Sequence, residues 1–149
     1  MLSILRKPVN TRSAYTLSFV STLYVRPILD LLVLEVPPQW QAEIRLGLQE
    51  ALVNAVAHGN QLDSTKRVTV TVSSQAPLYK WVISDEGGGF DRRCWCDRQP
   101  RNGIDDTDEC GRGVFILKQI FDCVEWNGNG NELHLMKAIQ PNRSNPLIP

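Results

Sequence analysis

The chain has 149 residues, one domain's worth, and its 16 basic and 16 acidic residues cancel to a formal net charge of zero. That balance argues against a nucleic-acid-binding surface, and a domain of this size buries roughly two-thirds of the surface its unfolded chain exposes, enough for one core without disulfides or a structural metal. Leu2, Ile4 and Leu5 reach Arg6, Lys7 and Pro8 too soon for a signal-peptide core, and the apolar run 28–36 is interrupted by Asp30 and Glu35 and is too short for a bilayer span, so a cytoplasmic protein without membrane contact is expected.

The elements follow in chain order. Residues 14–20 place Tyr15, Leu17 and Phe19 on alternate positions, the period of a half-buried strand. Residues 25–34 read as a helix with Pro27 in its first turn, stopped by Pro37 and Pro38. A second helix is expected from Trp40 to His58, with Gly59 and Asn60 as a left-handed stop. Residues 67–73 alternate Val68, Val70 and Val72 with threonines, and residues 78–84 form a second strand after the turn at Pro77, so the two make an antiparallel hairpin.

Asp85 and Gly87 to Gly89 end that hairpin abruptly. Residues 91–108 are charged, punctuated by Gly and Pro, and without a period; so long a loop is usually functional. Gly111-Arg112-Gly113 is read as opening a helix that continues to about Val124, followed by a turn and a closing strand over 133–139. The expected order is β-α-α-β-β-loop-α-β. It predicts an α/β (α+β) two-layer sandwich with a mixed, mostly antiparallel sheet and helices on one face. The domain is expected over 14–140, with an extension before it and a tail after it.

Three features carry chemistry. On the second helix, Glu50, Asn54 and His58 are spaced by four and form one polar stripe beside the apolar side made by Ile44, Leu48, Ala51, Leu52, Ala55 and Val56. By itself this is equally compatible with an exposed helix edge. Asp85 at a strand end can accept from an exocyclic amine, and the glycines behind it permit close approach of the backbone to a ligand; a flexible acidic turn has the same look. Gly111 and Gly113 before a helix leave backbone N–H groups facing a helix start, a site for phosphate, and Arg112 adds charge or is simply solvated. Cys94, Cys96, Cys110 and Cys123 match no common zinc spacing and are expected as reduced thiols.

Together, E-x-x-x-N-x-x-x-H on a helix, D-x-G-x-G at a strand end, a long loop, and G-x-G at a helix start resemble the histidine-kinase-like (GHKL) ATPases, the group of gyrase, histidine kinases and mismatch-repair ATPases with the Bergerat fold. The resemblance runs over residues 17–139. The stretches Glu50-Ala51-Leu52-Val53-Asn54-Ala55-Val56-Ala57-His58-Gly59-Asn60 and Gly111-Arg112-Gly113-Val114-Phe115-Ile116-Leu117, and the small size, look most like the bacterial anti-sigma-factor serine kinases.

That resemblance implies ATP and Mg²⁺ as cofactors. It implies Asn54 as the Mg²⁺ ligand, Glu50 as general base toward a serine hydroxyl or water, and Asp85 as acceptor from the adenine amine. Gly87 and Gly89 would pass close to the base, residues 91–110 would form the lid, Gly111, Arg112, Gly113 and Val114 would receive the phosphates, and His58 would be a further nucleotide-binding residue. It implies a serine/threonine protein kinase that phosphorylates an antagonist protein, sequesters a sigma factor and works as a homodimer. Two other readings stand beside it. One is a non-catalytic, ATP-dependent protein-binding module, favoured by Glu109 next to the second glycine pair. The other is a small metal or redox sensor built on the loop cysteines.

Overall fold

The computed structural model describes residues 3–9, 12–89 and 109–140, with side chains from 13–89 and 113–140. Strands β1 (Ser3–Val9) and β2 (Arg12–Val20) lead into helices α1 (Arg26–Leu32) and α2 (Pro38–Asn54). Strands β3 (Arg67–Gln75) and β4 (Leu78–Asp85), helix α3 (Glu109–Ile120) and strands β5 (Cys123–Trp126) and β6 (Glu132–Ala138) complete the order. They form one six-stranded sheet in the order β1-β2-β3-β4-β6-β5. Every pairing described is antiparallel, so the expectation of a mostly antiparallel sheet holds and its parallel component does not appear among these residues.

Alternation decides which sheet face is covered. Leu17 and Phe19 of β2, Val68, Val70 and Val72 of β3, Tyr79, Trp81 and Ile83 of β4, and Leu133 and Leu135 of β6 point to the same face and are all buried. The helices lie over them. Ile44, Leu48 and Leu52 of α2 and Leu117 of α3 are fully enclosed, each burial worth about 2 kcal/mol. At the centre, the Trp81 ring meets Phe121 edge-on at 5.7 Å, and its indole N–H donates to the Leu32 carbonyl at 3.2 Å, the partner that a buried indole needs. Gly47 of α2 leaves the space that the Phe121 ring enters, since a Cβ there would stand 2.5 Å from Phe121 Cε2. α2 and α3 therefore run close together, antiparallel, with Gly47 opposite the end of α3 and Glu50 and Asn54 opposite its beginning.

Several expectations are corrected. Residues 3–9, assigned to an extension, form β1 at the sheet edge, paired with β2 from Ser3↔Ser18 to Val9↔Arg12. Arg6, Lys7 and Pro8 hide its strand character, but an edge strand tolerates charge and proline because one of its sides makes no ladder. The third helix starts at Glu109, two residues before the glycine pair, and ends at Ile120; Cys123–Trp126 is a strand instead of its last turn. The second helix is α-helical only to Asn54 and continues as a π turn over Ala55–Gly59, closed by the Asn60 N–H donating to the Ala55 carbonyl at 2.8 Å. Its stop is not left-handed at Gly59 or Asn60. Asn60 has φ −82°, and the left-handed residues are Gln61 and Leu62, with φ 53° and 59°.

Candidate nucleotide site

The site is assembled where the end of α2, the start of α3 and the turn after β4 meet. Helix α2 presents Glu50 and Asn54 one turn apart, and α3 presents Gly113 against them. A Cβ at Gly113 would stand 3.1 Å from Asn54 Nδ2 and 3.5 Å from Glu50 Oε2. The absence of a side chain there lets the backbone of α3 approach both polar groups at once. The sequence placed these residues about sixty positions apart; the packing of α3 on α2 makes them neighbours.

The Asn54 amide nitrogen is buried and has no hydrogen-bond partner among the described residues. Such orphans are uncommon in folded proteins and call for a reason. A half-turn of the amide about its terminal bond exchanges nitrogen and oxygen, so the same position offers an N–H to a phosphate or an oxygen to a cation. The donor set of one carboxamide oxygen beside one carboxylate is hard and sparse, which suits a magnesium ion that keeps several waters and takes its other ligands from phosphates. On these observations the residues fit Mg²⁺. His58 lies on the π turn and is exposed, set off from the Glu50–Asn54 pair by the change of helical pitch.

The other end of the site is the Asp85 turn. Asp85 ends β4 with its N–H donating to the Asn131 carbonyl at 3.0 Å, and its Oδ1 accepts from the Gly87 N–H at 2.8 Å. Burial pushes the Asp85 carboxyl above the usual carboxylate range, with the Gly87 N–H and the Lys66 charge opposing it. The carboxylate lies against the backbone of Gly59, where any side chain would overlap it. Gly89 adopts φ 78°, a conformation L-residues rarely take, and passes against the carbonyl of Asn129 in the 127–131 turn. That turn is itself tied by Asn127 Oδ1, which accepts from the Gly130 N–H at 2.9 Å.

Of the residues singled out from sequence, Glu50, Asn54 and Gly113 come together, and Asp85, Gly87 and Gly89 form one turn. Gly111 and Arg112 fall in the first turns of α3, and Val114 is buried behind Gly113. Residues 91–108 and the cysteines at 94 and 96 lie outside the described residues, and the side chain of Cys110 is not described. Cys123 is a free thiol whose pKa is raised by burial and by the Glu125 carboxylate. No group of three or more potential metal ligands occurs among the described residues. Sequence reading missed Gly59 and Asn60 as parts of the site; the one signal was their position directly after the polar stripe.

Residues 30–137 match the family described as histidine kinase-like ATPase domain. The chain belongs to that family. The match covers the helix with Glu50 and Asn54, the Asp85 turn and α3, which are the elements that meet in space. A curated relative, the serine-protein kinase RsbW of Bacillus licheniformis, is 25% identical over 87 residues, 54% of this chain and 52% of its own length. The chain thus spans about half the length of the curated relative it matches. A histidine kinase-like ATPase domain implies ATP binding. No helix among the described residues is long and apolar enough to cross a membrane.

Proposed function

We propose that this chain binds Mg·ATP and is a serine/threonine protein kinase of the anti-sigma-factor type, which phosphorylates an antagonist protein and sequesters a sigma factor or similar regulator. The observation that carries the reading is the buried Asn54 amide nitrogen, without a partner among the described residues, beside Glu50, both lying against Gly113. The similarity to a serine-protein kinase supports the choice of hydroxyl acceptor over histidine chemistry.

In this reading Asp85 accepts from the adenine amine and so discriminates against guanine, which carries an oxygen at that position. Asn54 holds the metal. Magnesium, when bound, neutralises charge on the phosphates. Glu50 orients the attacking hydroxyl and takes its proton, a role open to one carboxylate held beside the transferring group. The start of α3 offers N–H groups and its dipole to the phosphates. The working species would be a homodimer.

The test is Mg²⁺-dependent ATP binding by calorimetry followed by phosphoryl transfer to a small antagonist protein. Absence of nucleotide binding would remove the whole reading. Binding without transfer to any antagonist would favour a second one, a non-catalytic ATP-dependent protein-binding module. One observation supports that alternative: α3 begins at Glu109, a carboxylate in the turn that would face the terminal phosphate.

A further inference from the structure

We infer that Asn60 is a positioning residue for base recognition, acting through the peptide that follows Asp85; the inference rests on the nucleotide-binding reading above. Asn60 is wholly buried, one of three buried polar or charged residues among those described. Its amide makes three hydrogen bonds. Oδ1 accepts from the Glu86 N–H at 2.8 Å, and Nδ2 donates to the Arg67 carbonyl at 2.9 Å and to Ser21 Oγ at 3.4 Å. A buried amide bonded on both its oxygen and its nitrogen rigidifies what it joins.

What it joins is specific. The Glu86 N–H belongs to the peptide unit that leaves Asp85, so the Asn60 bond fixes the backbone torsion that aims the Asp85 side chain. The same residue is held a second time, since the Glu86 carboxylate accepts from the Arg67 N–H. Residue 86 is thus gripped by its main chain and its side chain, and the carboxylate of Asp85 is left to lie against Gly59 with Oδ1 on the Gly87 N–H. Asn60 also ends the π turn that continues α2. One side chain therefore sets the distance between the helix that carries Glu50 and Asn54 and the turn that carries Asp85.

The backbone beside it is strained, as a load on this junction would require. Gln61 and Leu62 both take left-handed φ, 53° and 59°, which is unfavourable for side chains without a local hydrogen bond and most so for a bulky one. The Leu62 N–H donating to the Val56 carbonyl at 2.9 Å holds that geometry. Such strain persists only where surrounding contacts over-determine it, and the Asn60 amide supplies three of them.

The experiment is a thermodynamic cycle. Wild type, Asn60→Ala, Asp85→Asn and the double variant are titrated with Mg·ATP and with Mg·tripolyphosphate, which has no base. Asn60→Ala is expected to weaken ATP about tenfold, the loss of one bond to a well-placed acceptor, while tripolyphosphate binding stays within about twofold. In the Asp85→Asn background the Asn60 effect should vanish, because the two act as one unit. Equal losses for both ligands, additive losses in the cycle, or unchanged ATP affinity in Asn60→Ala would each overturn the inference. If wild type binds no ATP, the parent reading falls first, and that result is visible without any variant. Should Asn60→Ala not fold, Asn60→Asp keeps an acceptor for the Glu86 N–H. It should bind ATP within about threefold of wild type, and a tenfold loss there overturns the inference.

Discussion

Gly113 on α3 lies directly against the Asn54 amide on α2: a Cβ added to the glycine would stand 3.1 Å from Asn54 Nδ2, closer than side chains ordinarily pack. The contact joins two motifs that the chain separates by the whole of β3, β4 and residues 86–108. Gly113→Ala is therefore expected to separate stability from binding. Alanine is the better helix former by about 1 kcal/mol, so the fold should be retained. The methyl displaces the amide, and Mg²⁺-dependent ATP affinity should fall at least about tenfold. Calorimetry together with thermal unfolding of the same preparation checks both halves.

Asp85 makes a prediction with a defined sign. Burial raises its folded-state pKa above that of the unfolded chain. Between those two values the folded protein binds the proton more tightly, so stability falls as pH rises through that window, starting from the usual carboxylate range. Asp85→Asn removes this dependence. The variant should gain on wild type in melting temperature as pH rises from acid to neutral, yet bind ATP at least about tenfold less well, because its one amide oxygen stays with the Gly87 N–H and an NH₂ donor then faces the adenine amine. A parallel pair of stability-versus-pH curves would count against the assignment.

Glu50 and Asn54 should separate chemistry from binding. Glu50→Gln keeps the shape but not the base, so ATP binding should persist within about threefold, while phosphoryl transfer falls by about 10² or more. Asn54→Ala should bind ATP with little response to Mg²⁺, and its thermal stability should change by less than about 1 kcal/mol, because the amide nitrogen it removes has no partner among the described residues. A radiolabel transfer assay and magnesium titrations distinguish the two variants.

At the far end of α2 sits a charge cluster with a structural task. Lys137 Nζ donates to the Ile120 carbonyl at the end of α3 at 2.6 Å, lies 3.8 Å from Glu43 Oε1 and stands over the Trp40 ring at 5.1 Å from its centroid. Glu43 is 1% exposed. Removing the lysine takes a cation from beside a buried carboxylate that keeps other contacts, so Lys137→Ala should cost about 1–3 kcal/mol in urea denaturation. Replacing both by apolar residues, Lys137→Met with Glu43→Leu, should cost less than the two single changes summed, since the pair is removed together. Equal costs would show that packing and not charge governs this corner.

Much of the architecture was legible because periodicity reports burial. Val68, Val70 and Val72 alternate with threonines, and the sheet buries the valines; the apolar side of α2 read from Ile44, Leu48 and Leu52 is the side that packs. β1 was hidden because an edge strand needs no apolar alternation, and β5 because four residues are too few to show one. The π turn at Ala55–Gly59 left no pattern, and the bonds of Asn60 at its end, to the Arg67 carbonyl and the Glu86 N–H, join residues distant in the chain.

The division follows from the range of the forces. The sequence by itself determined the elements with a repeating apolar period, the three motifs and their order, and hence the family, because each is a local pattern of residue types. Only the tertiary structure decided that Gly113 meets Asn54, that the Asp85 carboxylate lies against Gly59, and that Asn60 joins α2 to the Glu86 peptide. Those are contacts between residues distant in the chain, set by how helix and sheet pack. A buried amide announces its partners only when the fold has brought them within hydrogen-bonding distance.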